Sequence, residues 1–143
     1  MQKVTSPCKH SGFRFEEFRG ALTLPALADL ETSFESVCFD SDTMIFRAQD
    51  KADRIVLVKS GCVTIVDGNV QDLTSKADGL VFGLLEVLAG SPHRLGLKAV
   101  TTVHGWTLPA DKLLKLLRDH PQLCLRVLSL VASVYNETIP HLT

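Results

Sequence analysis

Apolar positions change their spacing twice along this chain. Over residues 13–32, Phe15, Phe18, Leu22, Ala26, Leu27 and Leu30 recur at helical intervals, and Gly20 with the Leu24-Pro25 step divides the run into two short helices. Beyond Ser33 the period changes to two. Phe34, Val37 and Phe39 come first, then Met44 and Phe46, then the β-branched runs Ile55-Val56-Leu57-Val58 and Val63-Thr64-Ile65-Val66. Asp40-Ser41-Asp42, Gln49-Asp50, Ser60-Gly61, Asp67-Gly68-Asn69 and Asp78-Gly79 supply turn chemistry about every ten residues, the spacing of a sandwich or barrel. The pattern then predicts a brief helix within 83–89, extended segments over 95–100 and 101–108, and a helix over 111–119 that His120-Pro121 interrupts. Pro121 suits the first turn of a final helix over 121–138, where its missing N–H costs nothing.

That final helix bears on association. Gln122, Arg126, Ser129, Ser133 and Glu137 fall at steps of four, three, four and four and form one narrow polar stripe. Leu123, Leu125, Val127, Leu128, Leu130, Val131, Val134 and Tyr135 cover most of the remaining circumference. A helix that apolar needs two neighbours, its own domain on one side and a partner helix from a second copy on the other. Leu123, Val127, Leu130, Val131 and Val134 are the positions expected at such a homodimer contact.

Length and composition narrow the function classes. The 143 residues suffice for one domain with a real core, and a net charge of −1 offers none of the basic excess on which phosphate-backbone binding relies. No direct contact with DNA is expected of this chain, nor a membrane span, since no apolar run approaches about 18 residues. The first residues contain no apolar signal core, which points to the cytoplasm. Cys8, Cys38, Cys62 and Cys124 form no C-x-x-C pair and are expected as plain thiols; Cys8 with His10 is the nearest approach to a metal motif and provides only two ligands. No metal or other cofactor is expected. Catalysis of the metal-dependent β-roll kind requires a His-x-His pair, and His10, His93, His104, His120 and His141 are never two apart. An enzyme is not expected.

The order of segments resembles a known family. Short helices lead to FDSDTMIF (39–46), VLVKSGCVTIV (56–66), DGLVFGLLEVLAGSPHRLGLKAV (78–100) and LPADKLLKLLRDHP (108–121), and a long helix follows. The succession is similar to the effector half of the Crp/Fnr regulators, a cyclic-nucleotide-binding-like domain with its dimerisation helix. The resemblance implies a mainly β fold, a double-stranded β-helix or jelly-roll-like β-roll. Short N-terminal helices and a long C-terminal dimerisation helix would flank it. Residues 1–12 would be a flexible lead-in and 13–143 the sensor domain.

Family members that hold cyclic AMP or GMP offer the phosphate a helix N-terminus that begins at a glycine. A glutamate after that glycine holds the ribose, and an arginine just beyond a proline pairs with the phosphate. Gly83 stands at the glycine position here, but Leu84 and His93 stand at the other two. Arg94 comes one residue late, and in an extended segment it would face the opposite way.

The resemblance therefore implies a degenerate cassette made of Gly83, Leu84, Leu85, Ser91, His93 and Arg94. The pocket would be lined by Val81, Leu84, Leu85 and Leu88, with His93, Arg94 and residues of the last helix as further candidates, a lining for a guest more apolar than a nucleotide. His93 is a candidate for a pH-sensitive or metal-binding residue, but a lone histidine near a turn is expected to be partly exposed, and Glu86 to be a solvated helix residue.

Three functions stand at this point. One is a ligand-responsive or vestigial sensor domain that signals through its paired helices. Another is a ligand-free protein-interaction module. The third is a true cyclic-nucleotide receptor whose phosphate contact has been rearranged. Crp/Fnr regulators continue into a winged helix-turn-helix, so the DNA-reading half either lies outside this chain or is absent from a stand-alone sensor.

Overall fold

The run 55–58 is apolar at every position, the signature of a strand covered on both faces. In the computed structural model, which describes residues 13–14, 28, 31–67, 70–71 and 74–138, this run is the centre of the architecture. The strands are β1 (Phe13–Arg14), β2 (Glu35–Phe39), β3 (Met44–Phe46), β4 (Arg54–Ser60), β5 (Cys62–Asp67), β6 (Val70–Gln71), β7 (Ser75–Lys76), β8 (Leu80–Phe82), β9 (Gly96–Ala99) and β10 (Val103–Pro109). Helix α1 (Leu84–Ala89) interrupts them, and α2 (Ala110–Asp119) and α3 (Pro121–Thr138) follow.

Two antiparallel sheets result, ordered β1-β8-β4-β10-β2 and β3-β9-β5-β6, with β7 paired to β5. Val56, Val58, Leu80, Phe82 and Val103 of the first sheet meet Val63, Ile65, Leu97 and Ala99 of the second and fill the roll. On the other face of the first sheet, Ile55, Leu57, Val81 and Leu108 pack under Leu84, Leu113, Leu116, Leu117, Leu123 and Val127 of the helices. The fold is thus a mainly β jelly roll with a helical layer on one sheet.

Close approaches fix the register. A Cβ at Gly105 would run into the carbonyl oxygen of Leu57, at the point where the β10–β4 ladder shifts. The Ser60-Gly61 turn places Gly61 at φ +132°, where its N–H bonds Asp78 Oδ1 at 3.1 Å.

Most of the N-terminal helical expectation, and the lead-in 1–12, lies outside the described residues. Ala28 and residues 31–33 are helical, but Phe13 and Arg14 are not, which corrects the helix expected from Phe13. They pair with Val81 and Leu80 and so satisfy backbone groups on the otherwise open side of β8. Helix α3 spans the predicted range. Leu123 and Val127, two of the five positions expected at a dimer contact, lie inside the chain's own core, and Val131 packs against it. The side chains of Leu130 and Val134 are not among those described. Among the described side chains of α3, the large apolar ones left in solvent are Leu125, 67% exposed, and Leu128, 56% exposed.

Among the described residues no helix is long and apolar enough to cross a membrane, no three ligating side chains cluster, and Cys38, Cys62 and Cys124 are free thiols. The two-sheet core yields a direct test. Leu97, fully buried between the sheets, should cost about 2–5 kcal/mol of unfolding free energy in denaturant titrations when truncated as Leu97→Ala.

Candidate functional site

Strand β8 ends at Phe82, and the chain must turn sharply to start α1. Gly83 makes that turn at φ +90°, and its carbonyl accepts the Val87 N–H at 3.0 Å. A Cβ there would sit 3.1 Å from the Arg54 carbonyl oxygen and 3.5 Å from His93 Cε1. The start of the helix is therefore closely covered by backbone and by the His93 ring. Gly90, at φ +68°, ends α1, and the Ser91 N–H donates to the Glu86 carbonyl at 3.1 Å.

Beyond Pro92 the chain is clamped rather than loose. The His93 N–H donates to the Asp50 carbonyl at 2.9 Å, and the His93 carbonyl accepts the Gln49 N–H at 2.7 Å. Gln49 adopts φ +73° to make this turn. The imidazole stacks on Phe46, with centroids 3.8 Å apart and planes 9° from parallel. It is only 3% exposed, which corrects the expectation of a partly exposed histidine.

Glu86 is no solvated residue either. Its side chain is 14% exposed, and Oε1 lies 3.9 Å from His93 Nδ1, too far for a hydrogen bond. His93 Nδ1 and Glu86 Oε2 are both buried with no hydrogen-bond partner. Burial pulls the His93 pKa below the ordinary 6.5 and outweighs the opposite pull of the Glu86, Asp50 and Asp53 carboxylates. The ring is therefore neutral at neutral pH.

Beside His93 a cavity of about 340 Å³ opens at the mouth of the roll. Phe39, Ile45, Phe46 and Val56 give it an apolar wall, and Asp50, Lys51, Asp53 and Arg54 surround it with charge. Arg54 Nε pairs with Asp53 Oδ1 at 3.2 Å, and the Asp53 carbonyl accepts the Ala110 N–H that begins α2, at 2.8 Å. A second cavity, about 260 Å³, lies against α2 between Thr32, Lys112 and Lys115 and contains none of the cassette.

Of the cassette residues predicted from the sequence, Gly83 and His93 come together. Leu84 does not line the cavity: it has no exposure and packs in the core under the helices, where Val81 is also buried and Leu85 and Leu88 lean. The leucine-lined pocket is corrected accordingly, because α1 turns its apolar side toward the helical layer and away from the roll. Ser91 is half-buried and the Arg94 side chain is exposed. Phe39, Ile45, Val56, Asp50 and Asp53 were not anticipated at the site. Asp50 and Asp53 arrive with the 49–50 turn that pairs with His93, while Phe39, Ile45 and Val56 come from β2, β3 and β4 where the two sheets meet, and nothing local in the sequence announces these contacts.

Residues 36–120 match the family model described as cyclic nucleotide-binding domain. Solved structures with the same fold include the N-terminal domain of a transcriptional regulator from Streptomyces coelicolor A3(2), at TM-score 0.71 and 21% identity over 89% of this chain and 92% of that one. The catabolite activator protein of Thermus thermophilus aligns at TM-score 0.74 and 20% identity over 88% of this chain, which spans 61% of that protein. The sensor domain of the transcriptional regulator DNR from Pseudomonas aeruginosa aligns at TM-score 0.72 and 19% identity, over 87% and 86% of the two chains. Curated proteins gave no match. The family match takes in β2 through α2, cassette and cavity included, and this chain belongs to the family of cyclic nucleotide-binding domains.

Proposed function

We propose that this domain is a regulatory sensor module of the Crp/Fnr effector type, not an enzyme, in which the nucleotide cassette is degenerate and α3 signals by pairing with its counterpart in a second copy. The observation that carries the proposal is His93. A cyclic phosphate taken out of water at Gly83 needs a fixed positive charge, and a buried imidazole held neutral cannot provide one. Leu84 offers the ribose no acceptor, and Glu86, Asp50 and Asp53 oppose an anion. The cavity favours a small guest with an apolar body against Phe39, Ile45, Phe46 and Val56. Such a guest would act by biasing the arrangement of the paired helices. Within this proposal the domain works in the cytoplasm and makes no direct contact with DNA.

A true cyclic AMP or GMP receptor is the second reading, because the exposed Arg94 side chain is free of the clamp on its neighbour and could swing to a phosphate. A thermal-shift comparison separates the two. A ligand at about 100 times its dissociation constant stabilises the native state by about 2.7 kcal/mol, so millimolar cyclic AMP or GMP should leave the melting temperature unchanged here. A shift abolished by Arg94→Ala would replace the sensor proposal with the receptor.

Association through α3 is supported by Leu125 and Leu128, more than half exposed on a helix whose other side is already buried. Analytical ultracentrifugation should find a dimer that Leu125→Arg with Leu128→Arg converts to a folded monomer. A monomeric parent, or a variant that stays dimeric, would remove α3 as the contact between copies.

A further inference from the structure

We infer that His93 and Glu86 form a proton-operated switch, in which protonation of the buried imidazole draws the Glu86 carboxylate onto Nδ1 and repositions α1. The inference deepens the sensor reading by naming the proton as an input; it rests on that reading for its purpose and on geometry for its chemistry. His93 Nδ1 and Glu86 Oε2 are both buried without partners, and the other oxygen of the same carboxylate, Oε1, faces Nδ1 from a separate element at 3.9 Å. A charge-assisted N–H···O bond closes at about 2.7–2.9 Å, so roughly 1 Å of movement completes it.

The ring is the fixed partner. It is stacked on Phe46 at 3.8 Å, lies 3.5 Å from a Cβ position at Gly83, and is bracketed by backbone bonds to Gln49 and Asp50. Glu86 is the partner that can move, since α1 is a six-residue helix between two left-handed glycines. A neutral ring with its proton on Nε2 meets the carboxylate with the Nδ1 lone pair and gives it no reason to close, in keeping with the unpartnered Nδ1. Imidazolium does, and both orphaned groups then gain their missing interaction.

The other charges facing His93 come from the segment between β3 and β4. Asp50 and Asp53 favour its protonation; Lys51 and Arg54 line the same cavity, and Arg54 is already paired with Asp53. Desolvation prevails, so the folded domain accepts the proton only at a pH below 6.5. Above that value the ring is neutral both folded and unfolded, and its contribution to stability is complete. As pH falls below 6.5 the unfolded chain takes up the proton first, and stability declines until the lower folded value is passed. Closure of the Glu86–His93 pair therefore belongs to pH values below 6.5.

The test is an NMR titration of the full chain that follows the His93 ring and the backbone amides of residues 84–89. The ring should titrate with a midpoint below 6.5, and the α1 amides should shift with that same midpoint. In Glu86→Gln the midpoint should fall further, because the carboxylate that favours the charged ring is gone, and the α1 response should vanish. Amides of α1 that ignore the His93 titration, or a midpoint indifferent to Glu86→Gln, would overturn the switch. Should Glu86→Gln not fold, His93→Gln serves instead: the α1 amides of this variant should no longer shift over the pH range in which the wild-type His93 ring titrates, and an α1 response that persists overturns the switch. Neither cyclic-nucleotide melting shifts nor the oligomeric state enters this readout, so a failed switch leaves the sensor proposal to its own tests.

Discussion

Strand β4 carries two cores on its two sides. Val56 and Val58 face into the roll, Ile55 and Leu57 face the helices, and all four are buried. Ordinarily one polar face tells a strand which way to lie, since a slip of one residue would expose the wrong set. Here both faces are apolar, and a slip would exchange one buried set for another. Register is enforced by close contact instead: the Leu57 carbonyl fits only against Gly105, and Gly61 lies so near Val103 that a Cβ would come within 2.8 Å of its side chain. The two cores, the cavity and the seat of the helices all inherit their positions from that alignment.

Much of this was legible in the sequence because it depends on local chemistry. The β-branched runs became β4 and β5, Ser60-Gly61 and Asp78-Gly79 became turns at positive φ, and the polar stripe and Pro121 marked the extent of α3. The direction of the apolar residues was harder to read. Leu84 and Leu85 look like pocket lining beside a cassette glycine, but which side of a one-and-a-half-turn helix faces the roll is decided by how β8 delivers it. Likewise the outward side of α3 is set by where the domain's own core takes hold. Leu123 and Val127 were claimed by that core, and Leu125 and Leu128 were left.

His93 shows how much of a site one side chain can decide. An arginine brings permanent charge wherever it is buried, whereas a histidine can shed its proton and pass as an aromatic ring. Stacked on Phe46 and bracketed by the 49–50 turn, the imidazole is part of the wall, and the fixed cations at the cavity are Lys51 and Arg54, the latter paired with Asp53. Its chemistry was not visible from sequence because its partners are remote along the chain: Phe46 and Asp50 precede it by more than forty positions.

By exposure, residues 47–51 resemble an ordinary surface loop, the sort of place where insertions are tolerated. The backbone bonds of residues 49–54 say otherwise. Gln49 and Asp50 hold His93, the Asp53 carbonyl takes the first N–H of α2, and the Arg54 carbonyl closes over Gly83. Three elements distant in sequence are thus tied to six consecutive residues, which span the distance from the cavity mouth to the helical layer without passing through α1. Length is the property this segment cannot vary: one added residue would detach the mouth of the roll from the helices, even if every side chain in both cores were kept.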